Sequence, residues 1–173
     1  MTAGRQPGTG RIVVGVDGSS AAQDALRWAY RQAARGGVGL HLISTYELDG
    51  GHSPYHGSYA YVPDGRTAAH LSEAESKWRE ERFQQAQHRA EAMIRDEVAA
   101  VRAQEPGEVD VTDEVVGGSR PAELLIKRSE GAEMLVVGSR GLGGFKGLLL
   151  GSVSQQCVQH AACPVVVVRH PRE

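Results

Sequence analysis

The residues whose types and spacing suggest chemistry lie between Gly138 and Ser154, where the sequence reads GSRGLGGFKGLLLGSVS. Glycines let backbone N–H groups approach an anion because no Cβ stands in the way. A helix that begins at the end of such a loop adds unpaired N–H groups and the positive end of its dipole. Ser152 and Ser154 place two hydroxyls at this helix start, where each can cap the helix or contact a phosphate oxygen. The segment therefore predicts a site for a phosphate-bearing ligand.

Two common phosphate-binding loops do not fit this segment. A Walker A loop ends in Gly-Lys-Ser or Gly-Lys-Thr, and no stretch of the sequence supplies that ending. The dinucleotide fingerprint would begin at Gly141 and Gly143, but Lys146 stands at the position of its third glycine. The segment also follows the fourth predicted strand and not the first. We therefore predict neither a P-loop nucleotidase nor NAD binding of the Rossmann type.

Apolar runs and helical stripes alternate along the chain, which predicts an α/β fold with a parallel sheet and helices on both faces. Ser20-Ala-Ala-Gln23 has the form of a capping box, so the first helix is expected to begin at Ser20. The predicted strands cover 12–16, 38–46, 109–116, 134–137 and 165–168. The predicted helices cover the segment from Ser20 to the stop signal Gly36-Gly37, 71–103, a short segment from Pro121, and 152–162.

The longest predicted helix carries an apolar stripe that defines its expected buried face. Trp78 and Phe83 are predicted to pack inward or against a partner, and the charged face is predicted to be solvated. The stripe consists of Phe83, Ala86, Ala90, Met93, Ile94 and Val101.

Length and composition narrow the class of protein. The 173 residues fit one domain, expected at 11–170 behind a disordered leader at 1–10. Lys and Arg number 19 against 21 Asp and Glu, and this balance offers no general attraction for nucleic acid or an anionic membrane. No signal-peptide core and no apolar run of ~20 residues is present, so a cytoplasmic location is expected. Cys157 and Cys163 are expected to be buried free thiols.

The spacing Gly138-x2-Gly141-x9-Gly151-Ser152 resembles the ATP-binding motif of the universal stress protein family. IVVGVDGS at the first strand and PVVVVR at the last extend the resemblance from Arg11 to Arg169. The resemblance implies a Rossmann-like fold of the adenine nucleotide alpha hydrolase-like type, with five parallel strands in the order 3-2-1-4-5. It also implies a homodimer, commonly formed through the last strand.

Carried over by position, the resemblance implies that ATP binds together with Mg²⁺ or Mn²⁺. Asp17 would lie beside the ribose or the metal-bound phosphates, and the backbone of Leu42 or its neighbour would read the adenine edge. Arg140 stands where some relatives have histidine, so it either offsets phosphate charge or faces water. The other residues that would line the pocket or surround the nucleotide are Gly15, Val16, Val137, Gly138, Ser139, Gly141, Gly151, Ser152, Val153 and Ser154.

These features predict a regulatory ATP-binding stress-response protein. Hydrolysis needs a group that orients the attacking water and a clamp for the transition state, and no motif supplies both. The alternatives are slow ATP hydrolysis through Arg140 and a metal near Asp17, or a nucleotide-independent dimeric interaction module. The sequence does not distinguish ATP, AMP and a cyclic nucleotide as the physiological ligand.

The 49–70 segment contains a long Gly-, Pro- and Tyr-rich loop that could cover the pocket or only connect two elements. His52 and His56 are four residues apart in this segment. That spacing brings two side chains to one face in a helix but not in a loop, so a transition-metal site is disfavoured.

Overall fold

The computed structural model describes residues 10–46, 66–118, 120–143 and 149–170. The predicted leader up to residue 9, the irregular loop with His52 and His56, and Lys146 lie outside these ranges, so the expectations about them stay predictions.

The described residues form one five-stranded parallel sheet in the order β3-β2-β1-β4-β5. This confirms the predicted fold class and strand order. Its strands are β1 (Arg11–Gly15), β2 (Gly39–Tyr46), β3 (Val111–Gly117), β4 (Met134–Gly138) and β5 (Val165–Val168).

Helices cover both faces of the sheet because its central strands are apolar on both sides. The helices are α1 (Ser20–Gly36), α2 (Arg66–Gln104), α3 (Pro121–Arg128) and α4 (Ser152–His160). In β1, Ile12 and Val14 pack toward α1 and α2, while Val13 packs toward α3 and α4. As a result, α1 leaves β1 toward one face and α4 leaves the neighbouring β4 toward the other.

The start of α1 differs by one residue from the capping-box prediction. Ser19, with an extended backbone, is the N-cap, and its hydroxyl accepts a hydrogen bond from the N–H of Ala22 at 3.2 Å. Ser20 is the first helical residue. The chain turns at Gly18, whose φ of 81° is a conformation that favours glycine, and this turn brings Ser19 into the capping position.

Only part of the predicted α2 stripe is buried. Ala86, Ile94 and Val101 lie in the core, whereas Phe83 is 41% exposed, so Phe83 does not belong to the core, and its packing against a partner stays a prediction. The hydroxyl of Tyr46, the last residue of β2, reaches the side chain of Gln87 at 3.4 Å. The part of α2 before Gln87 is roughly 30 Å long, and it extends past the end of β2, where none of the described strands covers it.

The two cysteines lie on the α3 and α4 side of the sheet. Cys157 is fully buried and Cys163 is half-buried, and both are free thiols, as predicted. Burial, together with the neighbouring Cys163, raises the pKa of the Cys157 thiol to about 11. Cys157 is thus a core residue and a poor nucleophile at neutral pH. Within the described ranges, no helix has the length and apolar character needed to cross a membrane.

Candidate functional site

The candidate site lies where the strand order reverses, between β1 and β4. From here the sheet grows through β2 and β3 on one side and through β5 on the other. The β1–α1 loop and the β4–α4 loop leave the carboxyl ends of these strands toward opposite faces. In open parallel sheets a crevice opens between two such loops, and it is the usual place for a ligand.

Asp17 joins the two loops. Its Oδ1 accepts hydrogen bonds from the N–H and the hydroxyl of Ser19, at 3.0 and 2.6 Å. Its Oδ2 accepts a longer one, at 3.3 Å, from the N–H of Leu142 in the other loop. The carboxylate is therefore held at the mouth of the crevice, exposed, with its Oδ2 directed at the glycine-rich loop.

Other protein atoms approach two of the motif glycines closely. A Cβ on Gly138 would lie 2.7 Å from the carbonyl carbon of Ala21 and 2.8 Å from the nitrogen of Ala22, at the start of α1. A Cβ on Gly141 would collide with Oδ2 of Asp17. The first glycine lets β4 and α1 pack together, and the second lets the loop lie on Asp17.

The two serines at the start of α4 have different surroundings. Ser154 is buried, and its hydroxyl lies within hydrogen-bonding distance of the carbonyls of Ser139 and Gly151, at 3.1 and 3.0 Å. The N–H of Gly151 also donates to the carbonyl of Ser139, at 2.8 Å. The buried hydroxyl of Ser154 therefore holds the end of the loop in place. Ser152, the first residue of α4, is exposed.

The N-terminus of α4 follows the glycine-rich loop. Its N-cap is Gly151, and no described side chain makes a cap hydrogen bond there. Unpaired N–H groups in a first helical turn attract anions, so this end of α4 suits a phosphate group. Arg140 is half-buried in the same loop, and among the described residues no carboxylate pairs with its guanidinium group.

The apolar residues predicted to line the pocket fall into two groups. Val16 follows Gly15 at the end of β1 and donates its N–H to the carbonyl of Ile43 at 2.9 Å. Val137, at the end of β4, and Val153, in α4, belong to the apolar core under α3 and α4. Gly15 and Val16 therefore lie next to the crevice, whereas Val137 and Val153 lie in the core beneath it.

Leu42 does not reach this edge of the sheet. It pairs with Val14 on one side and Asp113 on the other, and its side chain is fully buried in mid-strand. Because Gly15 pairs with Ile43, the β2 residue level with Val16 is Ser44, which lies two positions after Leu42. A backbone group that reads an adenine edge is therefore expected at Ser44 or beyond.

Ser19 is the residue that sequence reasoning missed. Its hydroxyl caps α1 and contacts Asp17, and it also lies 3.4 Å from the carbonyl of Arg140. The signal was present in Asp17-Gly18-Ser19, since an Asp side chain that binds the N–H two residues later forms an Asx turn.

No group of three or more His, Cys, Asp or Glu side chains within the described ranges is arranged to hold a metal ion. Asp17 is a single carboxylate. One carboxylate suffices for a Mg²⁺ ion that takes its other ligands from nucleotide phosphates and water, so Asp17 fits a metal that arrives with a nucleotide.

Comparison with known proteins defines the class. The sequence profile of the universal stress protein family matches residues 8–169. A universal stress protein of Mycobacterium tuberculosis strain H37Rv is 33% identical over 161 residues, which cover 91% of this chain and 44% of the relative. One from Mycobacterium bovis is 32% identical over 162 residues, which cover 94% of this chain and 44% of the relative. This chain belongs to the universal stress protein family, and it spans about half the length of these relatives.

Solved structures of the family share the fold. The universal stress protein UspA from Lactobacillus plantarum matches with a TM-score of 0.65 and 22% identity, over 92% of this chain and 97% of its own. A universal stress protein solved in complex with cAMP matches with a TM-score of 0.58 and 23% identity, over 92% of this chain and 96% of its own.

Proposed function

We propose that this chain binds an adenine nucleotide, ATP with Mg²⁺ or Mn²⁺, in the crevice between β1 and β4 and acts as a nucleotide-dependent regulator. The observation that carries the proposal is the contact between Asp17 and the N–H of Leu142, 3.3 Å long. It places an exposed acid from the first loop against the glycine-rich segment of the second. A nucleotide with its metal needs both groups within reach.

The charges around the crevice support a phosphate chain. The open N-terminus of α4 offers N–H groups and a positive dipole end, and Ser152 offers an exposed hydroxyl. The Arg140 guanidinium group has no described carboxylate to neutralise. A dipole end contributes only ~0.3–1 kcal/mol for each charge, so several such contacts must act together to bind a nucleotide tightly.

The choice of an adenine nucleotide rests on the family motif and on the relative of the same fold that was solved with cAMP. ATP is the ligand that the spacing Gly138-x2-Gly141-x9-Gly151-Ser152 suggests, and it leaves a role for Asp17 beside a metal-bound phosphate.

Binding without rapid turnover fits the surroundings of Asp17. Its carboxylate accepts hydrogen bonds from Ser19 and Leu142, which hold it in place. A hydrolase also needs a second group that orients water, and none is recognisable in the described part of the crevice. We therefore favour a regulator over the alternative of a slow ATPase.

We also propose a cytoplasmic homodimer of a single domain at 11–170, which associates through β5. This strand is the last in the sheet order, and its four residues are only half-buried in the isolated chain. An apolar edge strand favours pairing with another chain. Light scattering at micromolar concentration should give the mass of a dimer, and a monomer mass would contradict this part of the proposal.

A charge placed on Ser152 tests the nucleotide site without disturbing the fold. In Ser152→Glu a carboxylate stands in the first turn of α4, where it favours the helix but repels phosphate. ATP affinity should fall by at least about tenfold, with no loss of stability to urea. Two controls show whether a loss of affinity comes from the charge and from its position. Ser152→Gln has the same shape as Ser152→Glu without the charge. Gln155→Glu puts the same charge on an exposed position farther along α4.

Unchanged ATP affinity in Ser152→Glu would overturn the proposed site. If the wild-type protein binds no adenine nucleotide at all and is still a dimer, the alternative of a nucleotide-independent interaction module takes its place.

A further inference from the structure

A second site candidate lies in a groove between α1 and α2, near enough to the nucleotide crevice for Asp17 to act electrostatically on a residue of the groove. The groove has a volume of about 290 Å³, close to the lower end of the range for small-molecule sites. Residues of α1 form one wall and residues of the last three turns of α2 form the other. Its lining consists of Gln23, Leu26, Arg27, Asp96, Glu97, Ala100, Val101 and Gln104.

Glu97 is the unusual member of this groove. It lies three residues after Ile94 and four before Val101, so it occupies the inward stripe of α2, where an apolar residue is expected. Both carboxylate oxygens are buried, and among the described residues no group makes a well-formed hydrogen bond to either, although the Gln23 amide lies near them. A buried carboxylate with so few partners is costly, so a donor that comes from outside the chain would stabilise it.

The other charges of the groove leave it acidic. Arg27, the cation at its rim, is already engaged by Asp24 at 3.2 Å and by the amide oxygen of Gln104 at 3.2 Å. Its Nε also lies 3.9 Å from Glu105. Asp96, which is exposed, adds a second negative charge beside Glu97. A ligand for this groove should therefore carry a positive charge.

The apolar floor of the groove indicates the chemistry of the uncharged part of the ligand. Leu26 and Val101 are buried there, and Ala100 lines the wall above them, so part of the groove is apolar. A carbon chain would cover this surface, while an ammonium group would donate hydrogen bonds to Glu97. A bare metal ion fits less well, because the groove does not supply three acidic or imidazole ligands.

We propose that the groove between α1 and α2 binds a small organic cation, an alkylammonium compound whose charged head is held by Glu97 and whose carbon chain lies on Leu26, Ala100 and Val101. The proposal does not require a nucleotide to bind in the crevice, although the charge of Asp17 acts on Glu97.

The test is a titration of the isotopically labelled full chain with n-butylammonium chloride, followed through backbone amide NMR shifts. Saturable shifts are expected at 23–27 and 96–104, and n-butanol, which has the same chain without the charge, should cause none that saturate. Glu97→Gln should weaken binding by at least about tenfold, because the neutral amide cannot pair with the ammonium group. Asp113→Asn, which removes an exposed acid from β3, is the matched control.

Ala100→Phe provides a second variant that changes no charge. Its ring should fill the groove and abolish the saturable shifts. The Ser152→Glu variant should bind n-butylammonium as the wild type does, so failure of the nucleotide proposal would leave this result unaffected. Absence of saturable shifts in the wild type, wild-type affinity in Glu97→Gln, or equal binding of n-butanol would each overturn the inference.

Discussion

Gly141 lies so close to Asp17 that a Cβ on the glycine would collide with Oδ2 of the carboxylate. The next residue, Leu142, donates its N–H to the same oxygen. The middle glycine of the motif and the acid at the end of β1 are therefore parts of one contact, although 124 positions separate them in the chain. The glycines of this motif suggest a loop that a phosphate group can approach. One of them, Gly141, also allows a contact within the protein, the one between the loop and Asp17.

Replacing Gly138 by Ala should destabilise the protein. The added methyl group would lie 2.7 Å from the backbone of Ala21, and backbone cannot move as easily as a side chain. We expect a loss of about 1–3 kcal/mol in the free energy of unfolding. Gly143→Ala is the control, because a Cβ there meets nothing within 4 Å. Urea unfolding measures both variants, and equal stabilities would show that β4 and α1 are not packed this closely.

Replacing Ser19 by Ala should affect both stability and binding. Loss of the N-cap should cost about 1 kcal/mol in the free energy of unfolding. Loss of the hydroxyl also removes the 2.6 Å hydrogen bond to Asp17, so the affinity for ATP with Mg²⁺ should fall as well. Ser20→Ala, one residue later and exposed, should change neither quantity beyond about 0.5 kcal/mol. A larger loss of stability in Ser20→Ala than in Ser19→Ala would mean that Ser20 is the N-cap, as the capping-box pattern predicts.

Glu97 should make stability depend on pH in a specific direction. Burial raises its pKa above the ordinary value of 4.5, the Gln23 amide opposes the shift, and the negative charge of Asp17 adds to it. The folded protein then holds this proton more tightly than the unfolded chain. The resulting stabilisation is fully present below pH 4.5 and is lost as the pH rises through the raised pKa of the folded state.

Glu97→Gln should lack this pH-dependent loss and should be more stable than the wild type at neutral pH. Asp17, Arg27 and Asp96 are present in both proteins, so the difference between their urea-unfolding curves from about pH 4 to pH 8 isolates Glu97. A constant difference across that range would mean that the Glu97 carboxyl titrates normally.

Asp17→Asn tests the part that the acid plays. The amide keeps the shape but loses the charge beside the metal-bound phosphates, so Mg²⁺ should enhance ATP affinity much less in the variant than in the wild type. Phosphate release from ATP should be equally slow in both proteins. Faster release by the wild type would favour the slow ATPase over the regulator.

The fold could be predicted from the sequence because the strands are short apolar or alternating runs and the helices carry apolar residues at a spacing of 3.6 residues. The start of α1 could not be placed to the residue, because Ser19 and Ser20 can both cap a helix and only the contact with Asp17 decides between them. The exposure of Phe83 was hidden because periodicity shows which face of a helix is apolar, not how far the sheet extends beneath it.

The candidate site was predictable in its parts but not in its contacts. The loop containing Gly138 and Gly141 and the acid Asp17 come from sequence patterns, whereas the register that leaves Leu42 in mid-strand depends on how β1 and β2 pair. Glu97 could have been noticed, since it interrupts the apolar spacing between Ile94 and Val101. How far its carboxylate is buried depends on the packing of α1 against α2, which the sequence does not show.

The most direct measurement is isothermal titration of nucleotide-free protein with ATP in the presence of Mg²⁺. The proposed function predicts saturable heat with about one nucleotide per chain and an affinity in the micromolar range, which corresponds to roughly −8 kcal/mol. It also predicts that the heat is strongly reduced in Ser152→Glu and preserved in Gln155→Glu. Absence of saturable heat from a folded wild-type protein would contradict the claim that this crevice holds a nucleotide.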